Sequence, residues 1–297
     1  MTRVVFVLAP RVHLLDFAGP AQVFFNDALD YELHWVAEDT EVATAQGLSV
    51  RASVVWPSLT ADDLVVVPGW RSPSLAATFA LGRATLDRIR AHHDAGGMVV
   101  SVCAGADALG YAGLLDGRRC TTHHDVQDEL AARYPKATVV RDVLYVVDGR
   151  VATSAGIASG IDLALHLVAM RHGPAAAARV ARDMVVYARR NGDEQQASAM
   201  LRHRSHVDDT VHRVQDLIDA RFTVRIPLAT LADEAGVSQR TVTRLFGRAT
   251  GLTPLRYQHL LRVERAEHLI GHGATVESAA RAVGFEDGRM LRRLRAR

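Results

Sequence analysis

The chain divides into two fold classes in series. Residues 1–190 predict an α/β layer: an open, mostly parallel sheet flanked by helices, flavodoxin-like in its layering. Residues 191–206 read as a linker, and residues 207–297 as an all-α domain with two helix-turn-helix units. Three observations predict this. Val-rich apolar runs alternate with helical patterns over the first two-thirds. Two pairs of short helical patterns, each around a glycine, follow within the last third. The charge also shifts: residues 205–297 hold 15 arginines against 11 acids, a net +4 in a chain of net +2. A polyanionic partner therefore belongs to the C-terminal part.

The predicted strands are VVFVLA at 4–9, YELHWVA at 31–37, LVVVPG at 64–69, GMVVSVC at 97–103, ATVV at 137–140, LYVVDG at 144–149 and RVATSAG at 150–156. Continuous rather than alternating apolar character means cover on both faces. Helical patterns at 19–29, 85–95, 106–112, 126–134 and 161–169 supply that cover, and a further small-residue helix spans 174–190. At 297 residues, 48% of them apolar, there is enough chain for two cores and too much hydrophobicity for disorder. The first apolar run is too short to span a bilayer and lacks a secretory cleavage pattern, so a cytoplasmic protein without a membrane partner is expected. Cys103 and Cys120 form no ligand cluster, and the 14 histidines show no metal-site spacing. No metal and no cofactor are expected.

In an open α/β sheet, ligands gather beyond the carboxyl ends of the strands. Cys103 follows the strand MVVSV and precedes Ala104 and Gly105, a turn into a helix. That geometry lifts a nucleophile out of a sheet, and a helix N-terminus is expected to lower the thiol pKa. Asp16 follows the first strand and is placed equally to cap the next helix or to line the same pocket. Gly69, Ala104 and His123 complete the candidate ligand pocket. No histidine directly follows Cys103, and His123 and His124 lie one strand farther on. A sensing pocket is therefore favoured over cysteine hydrolysis, which needs a base.

In the C-terminal part, Leu228, Leu231, Ala232 and Ala235 share one face, Gly236 permits a turn and Ser238 is placed to cap the next helix. Val242, Leu245 and Phe246 recur at helical spacing and pack inward, leaving Gln239, Arg240, Thr243 and Arg244 outward. Arginine can grip guanine bidentately and threonine can use its hydroxyl or methyl, so these four are candidate DNA contacts. Thr253 and Pro254 restart the chain into a long spacer helix. In the second unit Gly284 is the turn and Asp287 the cap, and Arg289, Arg292 and Arg293 suit phosphates more than bases. Gly288 lowers helix propensity at the start of that helix.

These motifs resemble known families. Asp16 with Gly19 and Pro20, SVCAGA at 101–106, AGLLDGRRCTTHH at 112–124 and TSAGIASGIDLALHLV at 153–168 are similar to the PfpI-like, class I glutamine amidotransferase-like domain of GlxA-type regulators. SQRTVTRLF, GLTPLRYQHLLRVERAEHLI and VGFEDGRMLRR resemble the AraC/XylS-type DNA-binding domain. The resemblance implies a transcriptional regulator that binds double-stranded DNA, with effector sensing or homodimerisation in the N-terminal domain. It maps Arg240, Thr243 and Arg244, and in the second unit Arg289 and Arg293, onto DNA contacts. Catalytic PfpI-like relatives commonly carry a histidine where this chain has Ala104. Arg295 stands where the AraC-type pattern usually has an aromatic core residue, and the chain is expected to be short at its C-terminus. Two other functions remain open: a cysteine-dependent hydrolase or hydratase of a small carbon–nitrogen compound through Cys103 and Asp16, and a scaffold with a defunct DNA-binding domain.

Overall fold

The computed structural model describes residues 1–26, 29–72, 74–75, 81–186, 191–192, 196, 203–204, 206–271 and 273–295. They form two compact units, residues 1–196 and 197–297.

The first unit is built on a six-stranded sheet in the order β2-β1-β5-β6-β10-β9. Its strands are β1 (Thr2–Val7), β2 (Tyr31–Val36), β5 (Leu64–Val67), β6 (Met98–Val102), β9 (Tyr145–Asp148) and β10 (Val151–Ser154). All neighbours run parallel except β9, which pairs antiparallel with β10. Along β1 the pleat sends Val4 and Phe6 to one face and Val5 and Val7 to the other, and all four are fully buried. The first face is covered by α1 (Leu14–Phe24), α5 (Ser159–His172) and α6 (Pro174–Asp183), which contribute Phe24, Leu163 and Val180. Residues Leu86, Ile89, Leu109 and Leu130 cover the other from α2 (Arg83–Asp94), α3 (Gly105–Tyr111) and α4 (Gln127–Arg133). The continuous Val runs are thus explained by burial on both sides.

Several boundaries differ from the sequence reading. The ATVV segment adds no strand to the main sheet. It yields β8 (Thr138–Val139), paired with β7 (Arg119–Cys120) in a separate ribbon. A second ribbon joins β3 (Glu41–Ala43) to β4 (Ser49–Arg51), whose residues are too few and too polar to show a period. The first helix begins at Leu14, not Gly19, and contains Pro20 inside it, so the Gly-Pro pair is no start signal here. The helix from Pro174 ends at Asp183, and residues 187–190 of the predicted helix lie outside the described residues.

The second unit contains α7 (Asp209–Arg221), α8 (Leu228–Ala235), α9 (Gln239–Thr250), α10 (Pro254–Gly271), α11 (Val276–Ala282) and α12 (Gly288–Arg295). Two cores sit along α10. Val211, Val214, Ile218, Leu231, Val242 and Phe246 surround Tyr257 and Leu261 at its start. Ala279, Ala280, Val283, Phe285 and Leu291 gather on Ala266 farther along. Residues at the end of the predicted linker join this unit: Arg204 pairs with Asp216 at 2.7 Å and with Asp219 at 2.5 Å, and Gln215 donates to the His203 carbonyl. Among the described residues, no helix is long and apolar enough to cross a membrane.

Candidate functional site

Four adjacent parallel strands, β1, β5, β6 and β10, end at one rim, and each is followed by a residue of the cysteine site. They deliver Asp16, Gly69, Cys103 and the pair Gly156–Ile157 respectively. Cys103 leaves β6 with a φ of 57°, a left-handed conformation that costs a non-glycine residue on the order of 1–3 kcal/mol. Its backbone is held in that turn from two sides: its N–H donates to the Ser154 carbonyl at 3.0 Å, and its carbonyl accepts from Thr122 Oγ1 at 2.8 Å. Glycines make the room. A Cβ at Gly69 would stand 2.7 Å from Cys103 Cβ and 2.6 Å from Asp16 Oδ2, and one at Gly156 would stand 2.8 Å from Cys103 Sγ. Ala104 is the buried residue that turns the chain into α3.

Asp16 is fully buried in the first turn of α1. The residue before that helix is His13, so Asp16 does not cap it. Its carboxylate instead accepts the Gly69 N–H at 3.2 Å and the Ile157 N–H at 2.9 Å, tying three strand ends together. Of the two roles open to it in the sequence, capping is set aside, and the carboxylate binds backbone N–H groups beside Cys103. Burial pushes its pKa up against the pull of those two N–H groups. Burial also pushes the Cys103 thiol well above the ordinary cysteine range, and the neighbouring Asp16 charge pushes it farther in the same direction. The expected lowering by a helix N-terminus is therefore overturned: desolvation beside a carboxylate outweighs it. Cys120 is fully buried and its thiol is raised to about 11 by that burial.

His123 lies on the same loop as Thr122, one residue beyond the contact to Cys103. Its Nδ1 faces the Asp125 N–H at 3.4 Å rather than the thiol, and burial lowers its pKa. Among the described residues, neither cysteine is linked to a histidine and a carboxylate in a catalytic triad. Sequence reasoning missed Gly156, Ile157 and Thr122. Position after a strand adjacent to β6 is the signal that would have found them, once the strand order is known. It also missed Gln196, whose side-chain amide donates to the Thr122 carbonyl at 2.9 Å and the Val143 carbonyl at 3.0 Å.

The second candidate surface lies on α9 and α12. The turn before α9 uses Gly236 at φ 69°, and Ser238 Oγ accepts the Thr241 N–H at 3.2 Å, as its position predicts. Val242 and Phe246 are buried, and Phe246 packs on Tyr257 at 5.6 Å between ring centroids. Gln239, Arg240, Thr243 and Arg244 are all exposed, and the Thr243 hydroxyl donates to the Gln239 carbonyl at 3.0 Å. Arg240 and Arg244 make no ion pair among the described residues.

The second unit is capped more heavily. Asp287 Oδ1 accepts the N–H groups of Arg289 at 2.9 Å and Met290 at 3.1 Å, which hold its carboxyl below the usual range. Gly288 has a packing reason as well as a propensity cost. Its N–H donates to Glu277 Oε2, and a Cβ there would stand 2.8 Å from that oxygen. Arg289, Arg292 and Arg293 are exposed, and Leu291 is fully buried beneath them. Arg295, which replaces the expected aromatic, is exposed and pairs with Glu267 at 3.2 Å, so no charge is buried there.

Arg262 on α10 is 7% exposed and was invisible in the sequence as anything but a charge. Its guanidinium donates to the carbonyls of Phe222, Val224 and Gly284, the last at 2.7 Å, and lies over the Phe285 ring. One side chain thereby ties the end of α7 to the turn of the second helix-turn-helix unit.

Comparison with known proteins agrees with both halves. The model of the DJ-1/PfpI family matches residues 2–170, and a helix-turn-helix domain model matches residues 231–297. The chain is 30% identical over 290 residues to the HTH-type transcriptional regulator CdhR of Pseudomonas aeruginosa, covering 95% of this chain and 84% of that one. It is 36% identical over 166 residues to isonitrile hydratase of Pseudomonas putida, covering 54% and 68%. With the HTH-type transcriptional regulator GlxA of Rhizobium meliloti it shares 27% identity over 247 residues, covering 82% and 74%. A PfpI-like domain followed by an AraC/XylS-like helix-turn-helix domain is the architecture of such regulators.

Proposed function

The chain belongs to the DJ-1/PfpI family, and from that premise we propose that it is a sequence-specific, DNA-binding transcriptional regulator of the cytoplasm. In this reading residues 1–190 sense a small-molecule effector or dimerise, residues 191–206 connect, and residues 207–297 bind double-stranded DNA. The observation that carries it is α9: its inner face is fully used by Val242 and Phe246, and its outer face presents Gln239, Arg240, Thr243 and Arg244 to solvent. Those residue types at that spacing match a major-groove reader. Arg289, Arg292 and Arg293 on α12 serve as phosphate contacts. Asp16, Gly69, Cys103, Ala104 and His123 frame the effector site. The raised thiol supports sensing over nucleophilic turnover, since the thiolate is the reactive form. Selection of bound fragments from a genomic library by the full chain tests the reading. Enrichment of a two-part sequence supports it, and recovery in proportion to input would end it.

The strained φ of Cys103 beside Asp16 favours one second reading, turnover of a small carbon–nitrogen compound. Incubation with simple isonitriles and amides decides it. Product formation that disappears in Cys103→Ala supports this reading, and no turnover by the wild-type chain removes it.

A further inference from the structure

The loop after β7 carries three adjacent residues with metal-binding side chains, of which only His123 belongs to the proposed effector site. Sequence spacing predicted no metal ligation, because the histidines lack a regular interval to a cysteine or carboxylate. The fold supplies the convergence instead. His123 Nδ1 lies 3.4 Å from one Asp125 carboxylate oxygen and His124 Nε2 lies 3.2 Å from the other. One ligand atom from each of the three falls within 4.8 Å of the rest.

We propose that His123, His124 and Asp125 form a binding site for a divalent transition metal ion of the zinc class. An ion held at about 2.0–2.1 Å by imidazole nitrogen and carboxylate oxygen sets its tetrahedral ligands about 3.3 Å apart. The His123 and His124 contacts, at 3.4 and 3.2 Å, fall on different Asp125 oxygens, so the carboxylate turns or binds through both oxygens to serve one ion, and His123 Nδ1 exchanges its bond from the Asp125 N–H for the metal. Rotation of the His124 ring, 56% exposed at its side chain, closes the third separation. Imidazole and carboxylate donors suit zinc, copper and nickel, whereas an all-oxygen shell would suit magnesium or calcium. Three protein ligands leave a position open to water or a small anion.

The loop is preorganised for this role. The Thr121 N–H donates to Thr153 Oγ1 and Thr121 Oγ1 to the Val140 carbonyl. Thr122 Oγ1 holds the Cys103 carbonyl, and the Thr122 carbonyl accepts from Gln127 and Gln196. Its base is fixed before an ion arrives, so little chain entropy is lost on binding.

The test uses the full chain freed of metal by a chelator. Calorimetric titration with Zn²⁺ is expected to show one saturable ion per chain. His124→Ala is expected to weaken it at least about tenfold, since even outer-shell losses cost that much, and Cys103→Ser to leave it unchanged. Bound Co²⁺ is expected to show visible d–d absorption without a thiolate-to-cobalt charge-transfer band. No saturable binding, retention in the His123→Ala/His124→Ala double variant, or loss in Cys103→Ser would overturn the site. Because the readout is metal binding itself, this outcome is independent of whether the chain binds DNA.

Discussion

The two helix-turn-helix units solve the same problem with unequal means. In the first, a twelve-residue helix lays Val242 and Phe246 into a core that includes Tyr257, so its outward residues are free to be chosen for recognition. The second has eight residues, of which only Gly288 and Leu291 are buried, and five of the eight face solvent or its edge as arginine or leucine. It is held by its ends: Asp287 and Glu277 satisfy the N-terminal N–H groups, and Arg262 ties its turn to α7. A helix held by its core beside one held by its ends teaches that the same motif can be fixed in two ways, and the proposed division into base reader and phosphate gripper follows that difference.

The largest expected effects come from the cores. Phe246→Ala is expected to cost about 3–5 kcal/mol, because it empties the centre of the first unit. Leu291→Ala is expected to cost about 2–5 kcal/mol while releasing mainly α12. Denaturant melts give the sizes, and footprints give the contrast: loss of selectivity in the first variant, shortened protection in the second. Identical footprints would erase the distinction between the units.

The proposed DNA contacts come next. Arg244→Ala is expected to cost about 1–3 kcal/mol on the preferred sequence and little on others. Arg292→Ala is expected to weaken all duplexes alike and to reduce the salt slope by about one. Titrations on preferred and scrambled duplexes at several salt concentrations separate the two. A uniform loss in Arg244→Ala would turn the reader into a second gripper.

Caps give smaller effects. Ser238→Ala is expected to cost about 1 kcal/mol in a thermal or denaturant melt. Asp287 adds a pH dependence of definite sign. Its folded-state pKa is lowered, so its contribution to α12 is present above the ordinary carboxylate value of 3.8 and is lost as pH falls through the lower folded value. The protection factors of the Arg289 and Met290 amides are expected to fall on acidification, and Asp287→Asn to blunt that response.

The cysteine site has no counterpart in the C-terminal unit: its sulfur is buried, where the arginines of α9 are exposed. Because the Cys103 thiol is raised, iodoacetamide labelling is expected to stay slow through the pH range where a free cysteine, with a pKa of about 8.5, ionises. Asp16→Asn removes the neighbouring charge and is expected to speed labelling by bringing the thiol pKa down. Fast labelling of the wild type near pH 7 would contradict the buried, sensing role.

Much of this was legible from residue order. The sheet strands, Cys103 at a strand end, the caps Ser238 and Asp287, and the turns at Gly236 and Gly284 follow from local periodicity and backbone preference. The carboxylate role of Asp16 did not follow, since a capping residue and a buried strand-end ligand look alike until Gly69 and Ile157 are placed beside it. Gly156, Thr122 and Gln196 were invisible because their meaning is contact across the strand order. Arg262 was invisible because a buried guanidinium facing three carbonyls has no sequence period. The thiol pKa was misjudged because helix polarity can be read locally and desolvation cannot.

The central claim is that the arginine-bearing faces of α9 and α12 engage one duplex together. Hydroxyl-radical footprinting of the full chain on a fragment selected from genomic DNA tests it directly. The account predicts two protected segments centred about 34 Å, or one turn of B-DNA, apart, with Arg244→Ala abolishing the sequence dependence of one and Arg292→Ala thinning the other. A single protected segment unaffected by either substitution, or protection without sequence preference, would contradict it.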